Sequence, residues 1–247
     1  MRTIAIGDIH GGYKALLQLI ERIDLKDDDQ LIFLGDYVDG WSESFEVIDF
    51  LISLSRKRKQ NNQVAPIYLR GNHDELVVDN LQATIPSEMW LFHGGQSTVD
   101  SYKNRSKNEL ELHFNFLRNE LHNFYELDGN GFFHAGFHNL KGPHHEYYAN
   151  ITYWDRTLWE LALALDPNLE RDNDRYPGRL KIYNEVYIGH TPTDRLGSHQ
   201  PINAACVWNI DTAAAYKGPL TAICVETKEV WQSEPVHTFY PDENGRN

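Results

Sequence analysis

Three apolar runs near the start of the chain end alike. Thr3–Ile6 leads into Gly7-Asp8, Leu31–Leu34 into Gly35-Asp36, and Ile67–Leu69 into Arg70-Gly71-Asn72. Each run has strand length, and helical spacing of apolar residues follows. Leu16, Leu19, Ile20 and Ile23 set that spacing over Tyr13–Ile23; Phe45, Ile48, Leu51 and Ile52 set it over Ser42–Lys59. The latter helix ends in Arg56-Lys57-Arg58-Lys59, either a docking patch or a solvated terminus favoured by the helix dipole. Strand and helix alternating in this way predict a parallel α/β layer.

The stretch from Leu76 to His122 reads as mostly helical, most clearly over Glu109–His122. Gly131–Gly136 reads as a buried strand that carries His134 at its end. A helix is predicted over Asp155–Leu165, stopped by Pro167, with a charged surface loop over Glu170–Arg179. Beyond it the chain is β-rich: Val186–His190, Ala204–Asp211, Leu220–Glu226 and Val230-Trp231, with antiparallel pairing expected from the short connections. No repeat or linker interrupts the text, so a single domain over 1–240 and a polar tail over 241–247 are expected.

Composition narrows the function more than the fold. The chain has 247 residues, 41% hydrophobic and 24% charged, as in ordinary globular proteins. A formal charge of −13 argues against general binding to nucleic acid or an anionic membrane, which needs a basic face. Cys206 and Cys224 are the only cysteines, so no disulfide framework or zinc–thiolate cluster is expected. They could face each other across a hairpin, but two reduced thiols are the simpler expectation. The first strand begins by Thr3, which leaves no room for a signal peptide, and no apolar run reaches the roughly 18 residues of a membrane span. A cytoplasmic location is expected.

If the first strands are parallel neighbours, Asp8, His10, Asp36, Asn72 and His73 gather at their carboxyl edge, where sites form in open α/β sheets. His134 and His190 each follow a later strand and adjoin a glycine that permits close backbone approach. Together Asp8, His10, Asp36, Asn72, His134 and His190 supply enough nitrogen and oxygen donors for two divalent ions, with Asp36 central enough to bridge them. That donor mixture suits Mn first, with Fe or Zn as alternatives. A lone Asp after a strand is usually a turn or cap residue; the shared context of all these residues argues for metal. His144-His145, by contrast, is expected to be a solvated loop.

Gly7-Asp8-Ile-His10-Gly11, Gly35-Asp36-Tyr-Val-Asp39 and Arg70-Gly71-Asn72-His73-Asp74 resemble the signature of the calcineurin-like metallophosphoesterases, most of all its phosphoprotein phosphatase branch. Phe133-His134-Ala135, Trp154-Asp155-Arg156, Gly189-His190-Thr191 and Asn209-Ile-Asp211-Thr212-Ala213 agree in order, over about residues 3–226. The resemblance implies a four-layer α-β-β-α sandwich of mixed sheets. It also implies one metal on Asp8, His10 and Asp36, and a second on Asp36, Asn72, His134 and His190. Two such cations can lower the pKa of a bridging water from about 15.7 toward 7, giving a hydroxide that attacks phosphorus in line. His73 is then the expected acid for the leaving group, oriented by Asp39. Arg70 and Arg156 are the expected phosphate clamps, because guanidinium matches phosphate geometry; an ion pair at a helix start is the alternative for Arg156.

One position departs from the pattern. The family's GDYVDRG has an arginine after the second aspartate, and here Gly40-Trp41 follows Asp39. Either another cation substitutes or Trp41 shapes a different pocket; the plain alternative is that Gly40 serves a turn and Trp41 packs on the surface. The expected substrate is a phosphorylated protein (phosphoserine/threonine or phosphotyrosine) or a small phosphoester. The competing readings are a bis(5'-nucleosyl)tetraphosphatase-like nucleotide hydrolase and a binder of phosphorylated partners without turnover.

Overall fold

The computed structural model describes residues 1–81 and 83–246. Gln82, within the stretch read as helical, and Asn247, last of the predicted tail, lie outside the described residues. Ten strands form two mixed sheets among these residues. In the first, β1 (Thr3–Ile6), β2 (Gln30–Phe33) and β3 (Ile67–Tyr68) run parallel, as their alternation with helices predicts. β9 (Pro219–Cys224) joins β1 antiparallel, and β10 (Val230–Pro235) closes that edge. The second sheet comprises β4 (Phe124–Leu127), β5 (Asn130–Phe133), β6 (Val186–Ile188), β7 (Ile202–Ala204) and β8 (Val207–Asn209), in the order β4-β5-β6-β8-β7.

The expectation of antiparallel pairing fails in the second sheet, where β5, β6 and β8 are parallel. The segment between β6 and β8 contains a 3-10 turn at Thr193–Leu196 and β7 itself, so it is long enough to cross over. The strand predicted over Ala204–Asp211 is a β7–β8 hairpin instead. Cys206 and Cys224 are both free and buried, with Cys224 on β9 of the other sheet, so they do not face each other across a hairpin.

Side-chain alternation along the strands builds the layers. Ile4, Ile6, Leu31 and Phe33 point away from the second sheet into a cluster with Leu16 and Leu19 of α1 (Tyr13–Ile23), Leu51 of α2 (Ser44–Gln60) and Val77 of α3 (Asn72–Asn80). Ala5, Ile32, Phe132, Tyr187 and Ile223 form the cluster between the sheets, where the Phe132 and Tyr187 rings stack at 5.2 Å. Leu158 and Trp159 cover the outer face of the second sheet against Val186 and Val207. Helix, sheet, sheet, helix is therefore the layer order, the four-layer sandwich of mixed sheets expected from the sequence.

The stretch read as helical past α3 is broken into α4 (Glu88–Trp90), a π turn at Leu91–Gly95, α5 (Gln96–Ser101) and α6 (Lys107–Asn119). The kink falls at Gly94, whose φ of +108° favours glycine. Past β5 come α7 (Ile151–Trp154) and α8 (Thr157–Ala164). Asp155 lies between them, and its Oδ2 accepts from the Thr157 amide at 3.1 Å. No helix among the described residues is long and apolar enough to cross a membrane.

Candidate metal centre

Strand ends from both sheets deliver the site. Asp8 and His10 follow β1, Asp36 follows β2, Asn72 opens α3 after β3, His134 follows β5 and His190 follows β6. All six are 7% exposed or less. Their connecting loops are zipped together: the Ile9 and His10 amides both donate to the Asp36 carbonyl, at 3.0 and 2.9 Å. His10, Asp36, Asp39 and His190 take φ values of 51°, 52°, 67° and 67°, each a left-handed conformation that costs about 1–3 kcal/mol for a residue other than glycine. Strain concentrated on four neighbouring residues is a feature of sites held in place by their surroundings. Two glycines make the approach feasible. A Cβ on Gly71 would lie 2.1 Å from Asp36 Oδ1, and one on Gly189 would lie 1.9 Å from Asp8 Oδ1.

Hydrogen bonds fix which ring nitrogen faces inward. His10 Nδ1 donates to the Asp39 carbonyl at 2.8 Å, and His134 Nδ1 to the Leu34 carbonyl at 2.9 Å. A carbonyl only accepts, so these bonds set the tautomer of a neutral ring. The Nε2 atoms of both rings then stand 3.4 Å from Asp36 Oδ2, while His134 Nε2 is 3.1 Å from Asn72 Oδ1 and 3.2 Å from His190 Nδ1. Asp8, His10 and Asp36 form one cluster of ligand atoms within 4.8 Å, and Asp36, His134 and His190 a second. Asp8 Oδ1 and His190 Nε2 are buried without a hydrogen-bond partner among the described residues.

Such crowding of acceptors requires positive charge. Burial pulls His10 down to about 3, leaving it neutral as a ligand must be. Burial also lowers His190, helped by the positive charges of His134 and Arg156. Asp8 is raised well above the carboxylate range by burial and by Asp211. Burial opposes the charge on His134, yet Asp36 and Asp8 outweigh it and push the imidazole up to about 9. A proton on His134 is the least cation that relieves the carboxylates, and divalent ions fit the same place with six oxygen and nitrogen donors around them.

Beside the cluster, His73 Nδ1 bonds Asp39 Oδ2 at 2.7 Å, with both side chains buried. Asp39 is held from three sides: Trp90 Nε1 donates to Oδ2 at 2.7 Å, Thr98 Oγ1 to Oδ1 at 2.6 Å, and its own amide donates to Thr98 Oγ1 at 3.0 Å. A cavity of about 250 Å³ opens above, lined by Asn72, His73, Leu76, Met89, Trp90, His93, Trp154, Arg156 and Arg246. Glu75 of α3 anchors the segment carrying Arg156 by accepting from the Tyr153 hydroxyl and Trp154 Nε1, both at 2.8 Å.

The structure thus brings together Asp8, His10, Asp36, Asn72, His134, His190, His73, Asp39 and Arg156. Arg70 is placed elsewhere, donating to the Arg118 carbonyl at 3.1 Å and not lining the cavity. Trp41 neither shapes a pocket nor packs on the surface; it is fully buried and stacks on Tyr240. Trp90, Thr98, Asp211 and Arg246 were not marked as site residues by sequence reasoning. The first two lie 51 and 59 residues from the carboxylate they hold, and nothing local in the text separates them from core or helix positions.

The comparisons with known proteins agree with this fold. The asymmetrical bis(5'-nucleosyl)-tetraphosphatase PrpE of Geobacillus thermodenitrificans is 27% identical, with 90% of each chain covered. Among solved structures, a cold-active protein-tyrosine phosphatase of a psychrophilic Shewanella matches with a TM-score of 0.60 at 15% identity, over 93% of this chain and 76% of that one. A protein serine/threonine phosphatase from Saccharomyces cerevisiae matches at 0.56 and 14%, over 95% and 80%. The sequence matches the calcineurin-like phosphoesterase family over residues 1–216, and the chain belongs to that family of metal-dependent hydrolases of phosphoester bonds.

Proposed function

We propose that this chain is a dinuclear-metal phosphomonoesterase acting on phosphoproteins, with a single catalytic domain over 1–240. The observation that carries the reading is the convergence of His10 Nε2 and His134 Nε2 on one oxygen of Asp36, with the His73–Asp39 pair alongside. Asp8, His10 and Asp36 would hold one ion; Asp36, Asn72, His134 and His190 the other, with Mn favoured by the donor set. When bound, the ions supply Lewis acidity and acidify a water for in-line attack. His73 stands at the cavity to protonate the departing oxygen, and Asp39 keeps its ring oriented through Nδ1. Arg156 reaches the same cavity and is the phosphate clamp of this proposal; Arg70 is left out, since its guanidinium bonds a carbonyl elsewhere. Two free buried cysteines accord with a reducing, cytoplasmic location. The filled acid and ligand positions argue against a binder without turnover.

One observation favours a second reading. Trp154 and His93, both exposed, line the cavity beside the arginines, and aromatic faces stack nucleobases. A nucleoside polyphosphate is therefore the competing substrate. Turnover of p-nitrophenyl phosphate with added Mn²⁺, against an Asp36→Asn variant, tests the chemistry; absence of metal-dependent hydrolysis by the parent would sink both readings. Phosphoserine peptide, phosphotyrosine peptide and diadenosine tetraphosphate then separate the substrates. Preference for the peptides is expected, and exclusive action on the dinucleotide would overturn it.

A further inference from the structure

Position 40 carries no side chain, and the space beside it is taken by Arg246, a residue 206 positions further along the sequence. A Cβ on Gly40 would lie 3.4 Å from Arg246 Cγ and 3.0 Å from the His10 carbonyl; one on Gly94 would lie 3.1 Å from the same Cγ. Both glycines have left-handed φ values, +130° and +108°. The aliphatic stem of Arg246 thus runs through a slot that two glycines keep open, and its side chain lines the cavity with Asn72, His73 and Arg156.

The segment that delivers it is tied down. Tyr240 stacks on Trp41 at 5.3 Å, and Trp41 Nε1 donates to the Ala214 carbonyl at 2.8 Å. Glu243 accepts from the Ser42 amide and hydroxyl at 3.0 and 2.6 Å, and the Arg246 amide donates to the Ala215 carbonyl at 2.9 Å. Trp41 is therefore the seat for this segment. At the far end, Arg246 Nε is buried and has no hydrogen-bond partner among the described residues. Nor does Arg246 or Arg156 form an ion pair with a carboxylate among those residues; the Arg246 Cζ lies 5.8 Å from the centroid of the Tyr216 ring. Two guanidiniums facing one cavity with no carboxylate at ion-pair distance among the described residues leave an anion as the missing partner.

We propose that Arg246 is a phosphate-binding residue of this site, gripping the substrate phosphoryl oxygens together with Arg156 and supplying in space the guanidinium that position 40 lacks in sequence. The proposal rests on the phosphoesterase reading. It is tested by calorimetric titration of inorganic phosphate into the Mn²⁺-loaded protein, alongside turnover of p-nitrophenyl phosphate. Arg246→Ala is expected to weaken phosphate binding about 10–100-fold and to raise KM, with metal content and melting temperature unchanged. Arg246→Lys should lose less, and added methylguanidinium should restore part of the affinity of Arg246→Ala, an effect that a purely structural arginine would not show. Undiminished phosphate affinity in Arg246→Ala, or a loss that accompanies metal release and ignores methylguanidinium, overturns the assignment. If the parent itself hydrolyses no phosphoester, the functional reading falls; if the parent turns over and Arg246→Ala binds phosphate equally well, only the role of Arg246 falls.

Discussion

His73 makes one strong hydrogen bond, to Asp39, and everything else around that pair serves to keep the carboxylate still. Asp39 accepts from an indole, a hydroxyl and an imidazole, and its own amide is bonded as well. A proton donor so oriented matters most when the leaving group is a poor one, since a nitrophenolate departs without help. His73→Asn is therefore expected to lower turnover of an alkyl phosphate about 10²–10⁴-fold, to affect p-nitrophenyl phosphate far less, and to leave metal content intact. Rates measured across esters of graded leaving-group pKa give the answer, and an equal loss on all of them refutes an acid role. Trp90→Phe keeps the ring and removes only the N–H that Asp39 accepts. It should reproduce the same leaving-group dependence at about a tenth of the parent rate, the size expected for one hydrogen bond to a charged group.

Elements are joined at the site by Asp74, whose carboxylate accepts from the Asp36 amide at 2.9 Å, the Tyr37 amide at 2.9 Å and the Gly71 amide at 2.8 Å. One side chain at the start of α3 thereby locks the loop after β2 to the loop after β3. Asp74→Ala would leave three buried N–H groups without an acceptor, so a loss of at least about 3 kcal/mol in urea unfolding is expected, with Mn²⁺ affinity falling in parallel. Unchanged stability would show that water replaces the carboxylate. Asp74 sits in a motif that sequence reading isolates, as do β1, β2, α1, α2 and the histidines after β5 and β6. Their signals are local: a period, a terminating glycine, a polar residue at a strand end. What stayed hidden depends on partners distant in sequence. Nothing in Leu220–Cys224 announces that β9 pairs with β1, because the hydrogen bonds lie with residues more than 200 positions away. The same holds for Arg246, a lone basic residue in polar text. Arg70 shows the limit of a local signal: its motif neighbours are in the site, while its long side chain donates to the Arg118 carbonyl.

Across the whole molecule, the metal centre is a cluster of buried charges whose balance depends on pH. His134 is held at about 9 in the metal-free protein against about 6.5 for an unfolded chain, because Asp36 and Asp8 outweigh the burial that opposes its charge. A raised pKa means that the folded state binds the proton more tightly. The resulting stability is fully present below pH 6.5 and is lost as pH rises through 9, on the order of 3 kcal/mol. Asp211, raised by burial to about 6, has the same sign, and its contribution fades earlier, between about pH 4 and 6. His10 works the other way, since burial lowers it to about 3, but it stays neutral above pH 6.5 and does not contribute in the window where His134 titrates. Metal-stripped protein should therefore melt at progressively lower temperature between pH 6.5 and 9. On the proposed metal assignment divalent ions would replace the proton on His134, so the Mn²⁺-loaded protein should hold its melting temperature over that window, and Mn²⁺ affinity should rise with pH as proton release becomes unnecessary. Scanning calorimetry of chelator-treated and Mn²⁺-loaded samples at both ends of the window checks this, with calorimetric proton release in two buffers as the second readout. Asp36→Asn removes the largest of the charges that hold the His134 proton and leaves Asp8; its metal-free form should lose less melting temperature between the two pH values than the parent does. A stripped parent equally stable at pH 6.5 and 9 would mean that the carboxylates are neutralised by something other than His134.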